Sequence, residues 1–213
     1  ENVSRWRNRK LTEEYPYLVV DARYEDIRKE GVVMSQAVLI TVGISASGKR
    51  DILSVDIGNS ENEQEWSEVF QRLRTRGLSG VKYVVSDDHK GLVKALKREF
   101  QGAGWQRCQV HFMRNFMSKF SRKDTKAYIL KLKDIFAALD IKQAPERKDQ
   151  LVKELEPIKP NIADWLDMDI ESCFTVYSLP AEHRKRMRST NMIERFNQEL
   201  LRRSRVIRIF PND

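Results

Sequence analysis

Residues 17–28 open on the apolar run Tyr-Leu-Val-Val and are marked by β-branched and aromatic residues, which predicts a strand. Gly31 marks a turn into a second strand rich in Val and Ile over 32–44. A third strand over 51–57 follows the turn Ser47-Gly48-Lys49. Strands joined by short turns read as an antiparallel meander. The period changes after residue 60, where Trp66, Val69, Phe70 and Leu73 recur at helical spacing over 61–76. Asn59-Ser60 has the composition of a cap for this helix, and Gly77 closes it. Residues 81–86 form a short apolar run of the kind buried in parallel sheets. Leu92, Leu96 and Phe100 again mark a helix over 89–100, and 105–110 predicts a fifth strand.

The resulting order is strand, strand, strand, helix, strand, helix, strand. It predicts an α/β fold with a ribonuclease-H-like mixed five-stranded sheet flanked by helices. From residue 112 to about 188 the pattern is helical throughout. Tyr128, Leu132, Ile135, Phe136 and Leu139 share one face, and Leu151, Val152 and Leu155 another, with breaks expected at Pro145, Pro157, Pro160 and Pro180. The expected organisation is a first core segment over 1–111, an all-helical insertion over 112–188, and a final core helix from 189 leading into a truncated C-terminal region to 213. The chain starts without Met and stops soon after a basic amphipathic segment, so it is expected to be part of a longer polypeptide.

Composition adds a modest positive excess, 39 Lys+Arg against 31 Asp+Glu for a net charge of +8, which favours an anionic partner. Its distribution is more informative. Residues 183–208 hold nine Lys/Arg and two acids, Glu194 and Glu199. Arg5, Arg7, Arg9 and Lys10 form a smaller basic cluster. Two cysteines in 213 residues do not make a disulfide scaffold and fit a reducing cytosol. With no apolar run of about eighteen residues, no membrane role is expected.

Three acids end local patterns: Asp21 after Tyr-Leu-Val-Val, Asp87 after Tyr-Val-Val-Ser, and Glu194 within Ser-Thr-Asn-Met-Ile-Glu-Arg-Phe-Asn. Carboxylates at strand ends and on a helix are what a protein needs to hold divalent ions against a phosphodiester. Each also has a plainer explanation. Asp21 can pair with Arg23 or lie on a wet face, and either Asp87 or Asp88 can cap the helix that follows. Asn191 to Glu194 has the spacing of a capping box. Cys108-Gln-Val-His111 is half of a zinc spacing, but only Cys173, His89 and His183 remain to complete it, so a closed four-ligand site is not expected. The alternative is a buried thiol and a hydrogen-bonded imidazole at the end of the fifth strand.

Four segments together carry a resemblance: Asp21-Ala-Arg-Tyr, Ser86-Asp87-Asp88-His89-Lys90-Gly91-Leu92, Cys108-Gln-Val-His111-Phe-Met-Arg-Asn115, and Ser189-Thr-Asn-Met-Ile-Glu194-Arg-Phe-Asn197. In this order they resemble the motifs of bacterial Mutator-type insertion-sequence transposases, over nearly the whole chain. The resemblance implies a DDE transposase in which Asp21, Asp87 and Glu194 are the catalytic, metal-holding triad, with Asp87 rather than Asp88 as its second member. It implies two divalent ions, Mg2+ with Mn2+ as substitute, and DNA strand cleavage and strand transfer at insertion-sequence ends by in-line displacement. Cys108 and His111 match a signature that the family associates with its catalytic core. Relatives carry an N-terminal DNA-binding region and further helices after the Phe-Pro-Asn segment.

Candidate phosphate contacts are Lys90, Arg114, Arg184, Arg186, Arg188, Arg195, Arg202 and Arg203. His111 is placed to position a scissile phosphate, and Trp165 to stack on an unpaired base or serve the core. Double-stranded DNA, both transposon ends and target, is the expected partner, and synapsis of two ends calls for a homodimer. The expected location is the bacterial cytoplasm, at the nucleoid. Two other functions fit the same residues: a non-catalytic basic DNA-binding module, and a nuclease of the ribonuclease H or junction-resolvase type.

Overall fold

The computed structural model describes residues 2–29, 32–204 and 210–211, with the side chains of 27–29, 200–201, 203–204 and 210–211 outside the description. Two compact units emerge, one made of residues 1–105 and 190–213 and the other of 106–189. The change of unit falls at Trp105, six residues before the expected boundary after residue 111, and the chain returns at Thr190.

In the first unit a short helix α1 (Asn2–Arg7), which the sequence pattern does not predict, precedes β1 (Tyr17–Lys29), β2 (Val32–Ile44) and β3 (Arg50–Gly58). Then come α2 (Glu63–Thr75), β4 (Tyr83–Ser86), α3 (Lys90–Glu99) and β5 (Gly104–Arg107). The strand order is β3-β2-β1-β4-β5. β1, β2 and β3 are antiparallel neighbours, and β4 runs parallel to β1. This is the mixed sheet of a ribonuclease-H-like fold. The chain returns through α9 (Asn191–Ser204) to a two-residue strand, β6 (Phe210–Pro211), which pairs in parallel with Ile27 and Arg28 of β1. The sequence pattern shows no strand there.

Alternation along β1 explains how the sheet is covered. Leu18 and Val20 point to one face, where with Leu39, Leu53 and Val84 they meet Trp66, Phe70 and Leu73 of α2 and Leu92 and Leu96 of α3. Phe70 is fully buried between Trp66 (ring centroids 5.5 Å apart) and Phe100 (5.1 Å). Gly91, the second residue of α3, allows the two helices to meet: a Cβ there would stand 2.7 Å from the Glu63 backbone nitrogen and 2.8 Å from the Asn62 carbonyl carbon. Gly43 likewise yields space to the Tyr15 ring, 2.6 Å from where its Cβ would be. The Tyr15 hydroxyl donates to Asp51 (2.9 Å). Burial, then that bond and the Asp51 charge, push its phenol up to about 12.

α2 begins later than the sequence suggests. Its cap is Asn62, whose Oδ1 accepts the Glu65 N–H (2.9 Å), rather than Asn59-Ser60. Asn62 stands three residues before Glu65, the spacing that satisfies an orphan N–H of the first turn.

The second unit is helical: α4 (Gln109–Met117), α5 (Arg122–Phe136), α6 (Gln143–Leu155), α7 (Pro160–Asp169), two 3-10 turns over 170–178, and α8 (Ala181–Met187). Phe112, Phe116, Leu132, Ile135, Phe136, Leu151, Leu155 and Leu166 form its core. Pro157 stands just past the end of α6, where a break is expected, but the other three prolines start helices rather than break them. Pro145 sits in the first turn of α6, Pro160 opens α7 and Pro180 caps α8, all positions where a missing N–H costs nothing. Leu139, expected on the apolar face of α5, lies past the end of that helix and is 75% exposed.

The fifth strand is shorter than expected. It ends at Arg107, and Cys108 caps α4, its carbonyl taking the Phe112 N–H (2.9 Å). Phe112 and Phe116, one turn apart, are both fully buried, and the burial of two aromatic rings overrides the strand preference of Val110.

Candidate active site

β1 and β4 run side by side, with Tyr17 opposite Tyr83 and Val19 opposite Val85. The rings of Tyr17 and Tyr83 meet edge to face at 6.0 Å, which places this in-register column on one side of the sheet. The ladder ends at Val19–Val85 and β4 at Ser86, so Asp87 follows directly on the strand that neighbours β1, and Asp21 lies two residues beyond the last pair. Asp87 follows the carboxyl end of β4, the kind of edge at which open α/β sheets bind ligands, and Asp21 is the fifth of the thirteen residues of β1. Asp21 is only 6% exposed, flanked across the antiparallel ladder by the fully buried Ile40. A carboxylate so placed requires a compensating partner.

Asp87 is half-buried, and its Oδ1 accepts the Asp88 N–H (2.6 Å). The cap of α3 is His89, whose side chain makes no cap bond, so neither Asp87 nor Asp88 occupies the cap position.

α9 supplies the third acid. Thr190 precedes the helix, and its carbonyl accepts the Ile193 (2.8 Å) and Glu194 (3.2 Å) N–H groups. Helix therefore begins at Asn191, and Glu194 is its fourth residue. A capping box from Asn191 to Glu194 needs Asn191 outside the helix and does not form. Ile193 is fully buried while Glu194 is half-buried. Arg23, on the Asp21 side of β1 by alternation, donates to the Asn197 carbonyl (2.9 Å), so α9 meets the sheet on the face that carries Asp21. Arg23 also pairs with Glu25. In the sequence Arg23 reads only as a counter-charge for Asp21. Its two-residue spacing from Asp21 was visible, but its partner 174 positions away was not.

Among the described residues, no group of three or more His, Cys, Asp or Glu stands close enough to hold a metal ion. The fold thus carries Asp21 on β1 and Asp87 just past its parallel neighbour β4, and brings α9 to the Asp21 face, without gathering the three carboxylates. Their chemistry, hard anionic oxygens, is that of Mg2+ and Mn2+ ligands.

The candidate basic contacts sort by what already engages them. In the first unit, Lys90 opens α3 three residues after Asp87 and is exposed, as is Arg195 beside Glu194. Arg202 is exposed and grips both oxygens of Glu199 (2.8 and 3.0 Å), which raises its pKa. The Arg203 side chain lies outside the described residues. In the second unit, Arg184 spends its guanidinium on the carbonyls of Leu179 (2.8 Å), Leu139 (2.9 Å) and Tyr177 (3.2 Å), and Arg188 reaches the Phe136 carbonyl (3.4 Å). These two brace the helical unit. Arg114 and Arg186 are exposed.

Cys108 is fully buried and His111 half-buried, both at the start of α4 rather than on the fifth strand. Trp165 stacks on Phe112 at 4.7 Å with the planes 17° apart, and Lys119 Nζ lies 4.4 Å from its ring centre. Neighbours already occupy the Trp165 ring.

Among the described residues no helix is long and apolar enough to cross a membrane. The chain is 42% identical over 212 residues to the transposase for insertion sequence element ISRM5 of Rhizobium meliloti, covering 100% of the chain and 53% of that protein. It is 41% identical over 213 residues to the transposase for IS256 in transposon Tn4001 of Staphylococcus aureus, covering 99% of the chain and 54% of the relative. For the IS406 transposase of Burkholderia multivorans the figures are 41% over 217 residues, 100% and 55%. The chain spans about half the length of these curated relatives. Among solved structures, the HTLV-2 integrase catalytic core domain in complex with magnesium is similar at 12% identity and a TM-score of 0.30, over 58% of this chain and 85% of that one. That likeness is too slight to support a functional inference. The family model described as transposase, Mutator family, matches residues 1–213, and with relatives at 41–42% identity over its whole length, the chain belongs to that family.

Proposed function

We propose that this chain is the catalytic part of an insertion-sequence transposase, cutting and joining DNA with Asp21, Asp87 and Glu194 as its acidic triad. The observation that carries the proposal is the pairing of β1 with β4, the first holding a buried Asp21 on the face where α9 docks and the second leading directly into Asp87. Two divalent ions, Mg2+ or Mn2+, would supply an activated nucleophile and charge stabilisation at the leaving oxygen. The residues' part is to hold and orient. Asp21, buried in β1 and paired across the ladder with Ile40, is the rigid member. Asp87 has one oxygen on the Asp88 amide and offers Oδ2. Glu194 closes on this pair by side-chain rotation when DNA and ion bind.

Lys90 and Arg195, adjacent to two of the acids, are assigned to backbone phosphates, and Arg114 and Arg186 serve the same role on the helical unit. In cleavage, water attacks phosphorus and the bond to the 3′ oxygen breaks, leaving a 3′-hydroxyl. In transfer, that hydroxyl attacks a target phosphodiester and displaces its 3′ oxygen. The partner is double-stranded DNA, with a homodimer pairing two ends in the bacterial cytoplasm at the nucleoid.

The adjacent aspartates give a sharp test, on DNA bearing the element's terminal repeats with Mn2+. Asp87→Asn should lower strand nicking by about a hundredfold or more, the scale of losing a group that stabilises transition-state charge. Asp88→Asn should stay within a few-fold of the parent. Equal loss in both, or loss in Asp88→Asn alone, would remove Asp87 from the triad.

A further inference from the structure

We propose that Arg23 is a positioning residue that fixes the register of α9 against β1 and so determines where Glu194 stands relative to Asp21. The proposal deepens the triad reading and rests on it.

Ile193 is fully buried, and it sets the rotation of α9 about its own axis. A buried apolar side chain does little to stop a helix from sliding along a sheet, because apolar contact is not directional. The Arg23 guanidinium supplies that missing constraint. Its Nη1 donates to the Asn197 carbonyl (2.9 Å) and its Nη2 pairs with Glu25, with only 13% of the side chain exposed. Inside a helix a carbonyl serves the N–H four residues on, so Arg23 uses the second lone pair of Asn197 without breaking the helix. A charged donor in a mostly buried position makes a short, strong bond.

Spacing links this tie to the acids. Asp21 is two strand residues from Arg23 on the same face, about 6.6 Å along β1. Glu194 is three helical residues from Asn197, about 4.5 Å along α9 and on an adjoining face. One bond therefore joins the strand that carries the first acid to the helix that carries the third, within one turn of each. With the backbone of α9 held, closure of the site is left to the Glu194 side chain. Glu25 sets a negative charge beside the guanidinium on the strand side. Lysine cannot copy the arrangement, since a single ammonium lacks the planar fork that serves two partners at once.

The test uses the 213-residue chain with Arg23→Lys and Arg23→Gln, beside Glu194→Gln. Amide hydrogen exchange over residues 194–198 reads the tie, and the free Mn2+ resonance signal reads metal affinity without any cleavage. Both Arg23 variants should exchange faster in α9 than the parent, with exchange in α2 unchanged. Their Mn2+ affinity should weaken about tenfold, the scale of losing a group that orients a ligand, while saturating Mn2+ restores most of the nicking rate. Should Arg23→Gln fail to fold, Arg23→Lys decides alone. Parent-like exchange in α9 overturns the tie. Faster exchange with parent-like Mn2+ affinity, in a background where Glu194→Gln abolishes Mn2+ binding, overturns the positioning of Glu194. If Glu194→Gln itself binds Mn2+ like the parent, the triad reading fails, and the positioning of Glu194 fails with it.

Discussion

Glu194→Gln is expected to cut metal-dependent strand cleavage by about a thousandfold, some 4 kcal/mol of transition-state stabilisation, while DNA affinity stays within about twofold. Glutamine keeps the shape of the side chain and removes its charge, so the change falls on ion binding. Glu194 lies in the first turn of α9 but in no capping box, and the helix loses only the small benefit of an acid near its N-terminus, about 0.3–1 kcal/mol. Ile193, fully buried, and the tie from Arg23 to Asn197 remain to hold α9. Arg195 and Lys90 are untouched, so phosphate contacts survive. Nicking of DNA bearing the terminal repeats with Mn2+, beside fluorescence anisotropy on the same duplex, separates the two effects. A variant that cuts as fast as the parent would remove Glu194 from the chemistry. A variant that loses binding and cleavage in equal measure would favour a structural role.

The second large effect concerns stability. Phe70→Ala should destabilise the chain by about 3–5 kcal/mol, the cost of emptying a fully buried aromatic site. The Phe70 ring is enclosed by Trp66 at 5.5 Å and Phe100 at 5.1 Å, so little can collapse into the gap. The helix that carries it covers the sheet face opposite Asp21, and its loss loosens β1 and β4 from behind. Urea unfolding followed by far-ultraviolet circular dichroism measures the change. A loss under about 1 kcal/mol would mean that α2 does not close the core as described.

How far the sequence could carry these conclusions depended on whether the deciding interaction was local. Period-two alternation in β1 separated Leu18 and Val20 from Val19 and Asp21, and the helical recurrence of Trp66, Val69, Phe70 and Leu73 placed α2. Both reflect burial repeated every few residues, and both were legible. The β5 to α4 boundary was not, because Trp105 to Val110 satisfies a strand pattern and only the tertiary burial of Phe112 and Phe116 turns Cys108 into a cap. Leu139 fitted the stripe of α5, but the helix stops at Phe136 before that position can turn inward. The capping-box spacing at Asn191 was misleading by one residue, since Thr190 rather than Asn191 stands before the helix. That the strand holding Asp21 neighbours the strand leading into Asp87 depends on the order of the sheet, and the Arg23 tie spans 174 residues. Neither leaves a local trace beyond the positions of the acids themselves.

A crystal structure of the 213-residue chain soaked in Mn2+, with anomalous scattering recorded, tests the convergence of the three acids most directly. The account predicts anomalous peaks ligated by oxygens of Asp21 and Asp87 at about 2.0–2.6 Å, and, in crystals that also hold DNA, Glu194 turned onto one of them. Mn2+ bound elsewhere, or at Asp21 and Asp87 with Glu194 still held apart in the presence of DNA, would contradict it.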